Sequence, residues 1–270
     1  GGAALVIRLY AHDGTSSSDL WQDGAVITLP SDAARHAQVR RVQPGDVVQV
    51  FDGRGLAFGA VVQTMGRREV TVRLTERVPE PQAMGCELPL AVTLAVGMPA
   101  NERMDTLVEK ATELGVTTLQ PLQCERAVLK LSGERAQKKV AHWQAVAAAA
   151  SEQCGRSVVP RVAEVLTLKE WLVSLTAPRV GSQQHEDLRW VLSLNAQAAM
   201  ISRLDLPAPS AAPAPDRPAL CTLSGPEGGL SPDEEHAAVQ AGFVRVHLGA
   251  RVLRADTAPL AVLAWLGLRG

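Results

Sequence analysis

The sequence predicts a two-part chain, a small all-β unit followed by a larger α/β unit built on a parallel sheet. Two observations carry this. Up to about Val78, short β-branched runs alternate with tight turns, whereas from Leu88 onward apolar strands alternate with helical patterns. Between them, Pro79-Glu-Pro-Gln-Ala-Met-Gly85 reads as a linker, giving parts at 1–78, 79–87 and 88–270.

In the first part, Ala25–Leu29, Asp46–Phe51, Leu56–Val62 and Glu69–Leu74 are the strand candidates. Pro44-Gly45-Asp46, Asp52-Gly53-Arg54-Gly55 and Gly66-Arg67-Arg68 supply the turns. Ser31 to Val42 is one short helix, capped by Ser31. Short strands with tight turns suggest a small barrel. In the second part, Leu90 to Val96 is a continuous apolar run, as a strand covered on both faces requires. Asn101 is placed to cap the next helix, whose stripe of Met104, Leu107, Val108, Ala111 and Leu114 ends at Gly115. Further strands are expected at Val116–Leu122, Trp190–Leu194, Leu220–Leu223 and Val244–Leu248. Helices are expected at Glu134–Gln153, Leu168–Leu175, Pro232–Ala241 and Asp256–Leu268. The Pro/Ala-rich tract from Leu206 to Pro218 reads as a flexible surface insertion, and Gly1 to Ala4 as residues added for expression. Trp21, Trp171, Trp190 and Trp265 fall on apolar stretches and read as packing residues.

Composition bounds the function. No run reaches the roughly 18 apolar residues of a membrane span, and the amino terminus has no secretory pattern. A soluble cytoplasmic protein is the expectation. Cys86, Cys124, Cys154 and Cys221 are scattered, without CxxC or a histidine at ligand spacing, so idle thiols and no metal are expected. A net charge of −1 means that any nucleic-acid contact must rest on local patches of Lys and Arg.

Two segments point to chemistry. Leu223-Ser-Gly-Pro-Glu-Gly-Gly-Leu230 follows an apolar strand and runs into Ser231-Pro-Asp-Glu234, a capping-box helix start. Glycines at the carboxyl end of a parallel strand let backbone approach a ligand, and in open α/β sheets ligands bind at that edge. An ordinary glycine-rich turn fits the segment equally well by itself. It is neither GxGxxG nor a Walker A loop. Leu248-Gly-Ala-Arg-Val-Leu-Arg-Ala-Asp-Thr-Ala258 repeats the arrangement with Arg251 and Arg254 beside a helix start, where a cation gains nothing from the helix dipole. Basic residues also gather at Arg126, Lys130, Arg135, Lys138 and Lys139, ahead of Glu152-Gln-Cys-Gly-Arg156. In the first part Arg8, His36, Arg40, Arg41, Arg67 and Arg68 could form a face for a nucleic-acid backbone. A solvated charged surface is the plain alternative for both sets.

Taken together these pieces resemble the RsmE family, the ribosomal-RNA uridine-N3 methyltransferases of the SPOUT superfamily. The likeness runs from Arg8-Leu-Tyr10 and His36-Ala-Gln-Val-Arg-Arg41 to the last helix. Its most specific pieces are Lys110-Ala-Thr-Glu-Leu-Gly115, Glu152-Gln-Cys-Gly-Arg156, Gly225-Pro-Glu-Gly-Gly-Leu230 and Leu248-Gly-Ala-Arg-Val-Leu-Arg254. The resemblance implies a PUA-like RNA-binding barrel, then an α/β methyltransferase domain with a carboxyl-terminal trefoil knot. It implies a homodimer acting on 16S rRNA within the small ribosomal subunit, with S-adenosylmethionine as methyl donor. Carried over by position, the cofactor residues are Leu194, Ser224, Gly225, Pro226, Glu227, Gly228, Gly229, Leu248, Gly249, Val252, Leu253 and Thr257. The RNA contacts are Arg8, His36, Arg41, Arg126, Lys130, Lys139 and Arg156. Ser157-Val158 replaces a frequent Asn-Arg pair, Ala100-Asn101 a frequent Lys-Gly pair, and Asp256 a common Glu. These departures touch RNA contacts, not the cofactor loops.

Methylation at uracil N3 requires loss of a proton and leaves charge on O2 and O4. Arg254 or Arg126 would stabilise that anion, and Glu227 or Glu152 would take the proton. Two rivals stand beside this reading. One is a SPOUT enzyme acting on another RNA atom, and the other is a non-catalytic RNA-binding assembly factor, which would not need the glycines at 225, 228 and 229.

Overall fold

The computed structural model describes residues 6–12, 17–100, 102–176, 187–208 and 217–269. Asn101, Gly1–Ala4 and most of the Pro/Ala-rich tract lie outside the described residues. The chain divides into two compact units, 1–87 with 148–159, and 88–147 with 160–270. The sequence placed 148–159 in the second part, but long-range hydrogen bonds donated by Arg8 and the Gly55 amide, and one accepted by the Gly53 carbonyl, tie that segment to the first.

The first unit holds β1 (Ile7–Tyr10), β2 (Val26–Thr28), α1 (Ser31–Val39), β3 (Val47–Phe51), β4 (Ala57–Met65), β5 (Val70–Arg77) and the short α2 (Glu80–Ala83). The strands form one sheet in the order β1-β3-β4-β5-β2, parallel only between β1 and β3. The ladder of β4 and β5 shifts register at Phe58/Ala60 and at Val62/Thr64, and such bulges increase the local twist. Alternation along the strands buries Leu9, Val48, Val50, Val62, Val70, Val72 and Leu74, which pack with Ala33, Ala34 and Ala37 of α1. Ser31 is the first residue of α1 rather than its cap; Pro30 holds that position. β1 and α2 were not expected as elements, since a four-residue edge strand and a four-residue helix carry too little periodicity.

Strands of the second unit are β6 (Ala91–Gly97), β7 (Thr118–Gln123), β8 (Arg161–Val162), β9 (Leu166–Thr167), β10 (Leu188–Leu192), β11 (Ala199–Met200), β12 (Ala219–Ser224) and β13 (Val244–His247). They pair in parallel in the order β11-β13-β10-β12-β6-β7-β8, with β9 also on β7. The helices are α3 (Arg103–Glu113), α4 (Gly133–Cys154), α5 (Leu168–Thr176), α6 (Pro232–Gln240) and α7 (Thr257–Gly267); the carboxyl-terminal part of α4 belongs to the first unit. Because the strands are parallel, the loops after β6, β7, β10, β12 and β13 all leave the same edge. One face of the sheet is packed by Trp171, Leu172, Ala238 and Phe243, while α7 packs on β12 and α3. No helix among the described residues is long and apolar enough to cross a membrane.

Candidate functional site

At that carboxyl edge lies a cavity of about 520 Å³. Three loops build it: Leu192–Leu194 after β10, Ser224–Gly229 after β12, and Leu248–Ala255 after β13, with Arg103 from α3 alongside. Ten of the residues expected in the cofactor loops line it in addition to Leu194: Ser224, Gly225, Pro226, Glu227, Gly228, Gly229, Leu248, Gly249, Val252 and Leu253. Thr257 does not. It is the first residue of α7, exposed, with its amide turned back to the Arg254 carbonyl at 3.0 Å.

Local chemistry explains the loop shapes. Gly225 has no room for a side chain, because a Cβ there would lie 2.6 Å from the Leu230 nitrogen and 2.7 Å from the Gly229 carbonyl carbon. Gly229 sits at φ +72 and Gly249 at φ +109, conformations that glycine adopts without steric cost. Downstream, Ser231 and Glu234 form the expected capping box at α6. Buried Glu234 does more than cap: its carboxylate accepts the Ser231 amide at 2.9 Å and the Glu125 amide at 2.8 Å, fixing the turn after β7. Glu235 accepts from Arg245 Nε at 2.6 Å and from Ser193 Oγ at 2.8 Å, while Ser193 Oγ accepts the Asn195 amide at 3.1 Å. This chain of bonds holds the loop that carries Leu194.

Several residues here give no signal in the sequence. Gly97 ends β6 where a Cβ would lie 2.5 Å from the Pro226 ring, so glycine is what lets the 226 loop cross β6. His247 lines the cavity and accepts the Gly249 amide on Nδ1 at 3.2 Å. Arg103 also lines it. A lone arginine in a helix's first turn looks like any other, and Gly97 resembles any strand-end glycine.

The candidate catalytic residues separate. Arg254 lines the cavity, exposed, and its carbonyl accepts the first two amides of α7 at 3.0 and 3.1 Å. Arg126 does not line the cavity: its Nη1 donates to the Gly228 carbonyl at 3.2 Å, bracing the glycine loop. Gly228 likewise points its missing Cβ at Arg126 Cβ, 3.0 Å away. Glu227 is the one carboxylate among the lining residues, and its Oε1 accepts the Ala100 amide at 2.9 Å. Glu152 is corrected outright. It belongs to the first unit, where it pairs with His36 Nδ1. Burial raises its carboxyl pKa, and the neighbouring His36 opposes that shift.

The RNA contacts expected in the first unit are also revised. Arg156 is only 1% exposed, and it grips Glu87 through Nε at 2.9 Å and Nη2 at 2.7 Å. It holds the unit together and presents no charge to a ligand. Arg8 stacks its guanidinium over Phe51 and donates to Gln49, the Ser151 and Arg156 carbonyls and Ser157 Oγ; burial lowers its pKa. With Val159 bonded to Gly53 and Gly55 to Ser157, these contacts make 148–159 part of the first unit. Arg41 is exposed, at φ +55. In the second unit Arg126, Lys130 and Lys139 are exposed. Cys124 beside Gly97 is pushed up to about 12 by burial, so it stays a protonated thiol. Among the described residues no group of three or more His, Cys, Asp or Glu is arranged for a metal.

Residues 86–267 match the model of the RNA methyltransferase domain, and 29–75 that of the RNA methyltransferase PUA domain. A ribosomal RNA small subunit methyltransferase E of Synechocystis is 35% identical over 89% of this chain and 72% of its own length. The chain belongs to the ribosomal RNA small subunit methyltransferase E family. The family member of Mycobacterium bovis is 32% identical over 91% of this chain and 87% of its own. A crystal structure of the Neisseria gonorrhoeae family member bound to S-adenosyl methionine superposes with a TM-score of 0.80 at 31% identity, covering 98% of both chains. A Legionella pneumophila methyltransferase in complex with the same cofactor gives 0.82 at 28% identity, covering 99% of both.

Proposed function

We propose that this protein binds S-adenosylmethionine in the cavity at the sheet edge and methylates N3 of a uridine in 16S rRNA. The observation that carries the reading is the buried Ser224 hydroxyl. It lines the cavity and has no hydrogen-bond partner among the described residues, and a buried polar atom left unpaired costs about 1–3 kcal/mol unless a ligand satisfies it. The large apolar side chains of Leu194 and Val252, 74% and 80% exposed, border the same space and suit the flat face of a nucleoside. These features fit the cofactor found in the relatives.

The bound cofactor supplies an electrophilic methyl group on a sulfonium. The chain supplies position and electrostatics, which suffice for an in-line displacement. Arg254 stabilises the negative charge that spreads over uracil O2 and O4, and Glu227 takes the N3 proton. The molecule works in the cytoplasm as a homodimer, with the trefoil knot that the family likeness implies. A base target, rather than a ribose hydroxyl, is favoured by an arginine fork at the cavity wall.

Gly225→Ala tests the pocket. The added methyl meets backbone at 2.6 Å, so the loop must shift. Calorimetry should show cofactor affinity at least about tenfold weaker, with the thermal midpoint near wild type. Unchanged affinity would remove the 224–229 loop from the binding site.

RNA affinity in the second unit is assigned to Lys130 and Lys139, with Arg126 nearby in sequence. Lys130→Glu with Lys139→Glu should flatten the dependence of log affinity on log salt by about 0.7–0.9 for each phosphate that is no longer neutralised. Cofactor affinity should not change. An unaltered slope would make the two lysines solvated surface.

A further inference from the structure

Three arginines, Arg103, Arg251 and Arg254, line the cavity, against the single carboxylate of Glu227. None of the three is ion-paired among the described residues. Glu227, whose Oε1 accepts the Ala100 amide, is one carboxylate and can offset only one of the three charges. The Arg103 position is also unfavourable in itself. It opens α3, whose first residue has no side-chain cap, and a cation at a helix amino terminus meets the positive end of the dipole. The side chain is nonetheless half-buried at the cavity wall.

The cofactor does not account for this charge. S-Adenosylmethionine is itself a net cation, with a sulfonium and an ammonium against one carboxylate. Three guanidiniums around it are repulsive overall unless an anion enters with the substrate. Arg254 is assigned to the base, which leaves Arg103 and Arg251. Of these, Arg103 alone comes from outside the loops after β12 and β13, and it is half-buried where Arg251 is exposed. The Ser224 hydroxyl, without a partner among the described residues, independently marks the cavity as built for a ligand.

We propose that Arg103 is a substrate-binding residue that takes a phosphate of the RNA strand next to the target nucleotide. The inference rests on the reading of this cavity as an RNA methylation site. It also gives the cofactor and the RNA a reason to favour each other in one pocket: the phosphate offsets the repulsion among the cationic groups.

The test uses the full chain with Arg103→Gln and Arg103→Lys. Binding of small-subunit ribosomal RNA is measured over a salt series, and S-adenosylmethionine binding by calorimetry, after thermal melts verify folding. In Arg103→Gln, RNA affinity should fall about tenfold, as removal of one charge-assisted hydrogen bond implies. Its salt slope should drop by about 0.7–0.9, the value for one phosphate. Arg103→Lys should keep the slope, and cofactor affinity should stay within about twofold of wild type. Unchanged RNA affinity and slope in Arg103→Gln would overturn the proposal. So would a selective fall in cofactor affinity, which would give Arg103 to the cofactor carboxylate. Failure of the wild-type protein to methylate RNA would instead strike the functional reading itself.

Discussion

Arg254→Lys should slow single-turnover methylation by about two to three orders of magnitude, the usual cost of removing one preorganised donor to a developing oxyanion. The loop holds the backbone of Arg254 in place. Its carbonyl takes the first amides of α7, and Gly249 turns the chain five residues earlier. Lysine keeps the charge but replaces a planar fork with a point charge on a flexible stem. Charge alone therefore should not rescue the rate. The effect should fall on turnover, because the role proposed for Arg254 is to stabilise an anion that forms only as the base loses its proton. Cofactor affinity, measured by calorimetry, and the thermal midpoint should remain near wild type. Near-normal turnover, or a decrease explained entirely by weaker cofactor binding, would take this role from Arg254. Arg126 would not inherit it easily, since its guanidinium already serves the Gly228 carbonyl.

Glu87→Gln should destabilise the protein by about 3–5 kcal/mol, because it leaves the Arg156 guanidinium without its countercharge. Both side chains are almost wholly buried, 1% and 5% exposed for Arg156 and Glu87, and the pair is bound through two donors. Replacing both by an apolar pair, Glu87→Leu with Arg156→Met, should recover most of that stability, since the charged pair is desolvated at both ends. Denaturant unfolding of the three proteins checks this. The salt dependence of RNA binding should be the same in the double variant as in wild type. A reduced slope there would return Arg156 to the RNA-contacting residues; a destabilisation below about 1 kcal/mol in Glu87→Gln would deny the pair its structural role.

The contrast between these two arginines shows what sequence can convey here. Arg254 stands beside a strand-end glycine and a helix start, so its placement follows from local signals: apolar run, glycine, cap. The same signals located the 224–229 loop and the capping box of Ser231 and Glu234. Arg156 lies in a basic motif that looks equally suited to RNA. Only the fold brings it to Glu87, 69 positions away, and turns a surface charge into a buried clasp. His36 and Glu152 are likewise joined across 116 positions. The two-residue strands β8, β9 and β11 were illegible because their pairing is set by neighbours and not by any period of their own. Arg103 was missed for a related reason: nothing near it in sequence distinguishes it from a solvated helix arginine, while the sheet edge brings it to the cavity.

The decisive measurement is nucleoside mass spectrometry of small-subunit ribosomal RNA after incubation with the purified protein and S-adenosylmethionine carrying a labelled methyl group. The expected product is labelled 3-methyluridine, at one methyl per RNA, and no label on ribose. Label on a ribose hydroxyl or on another base atom would contradict the assignment of Arg254 to a uracil anion. No label at all, from a protein that binds the cofactor, would make this a binding protein and not an enzyme.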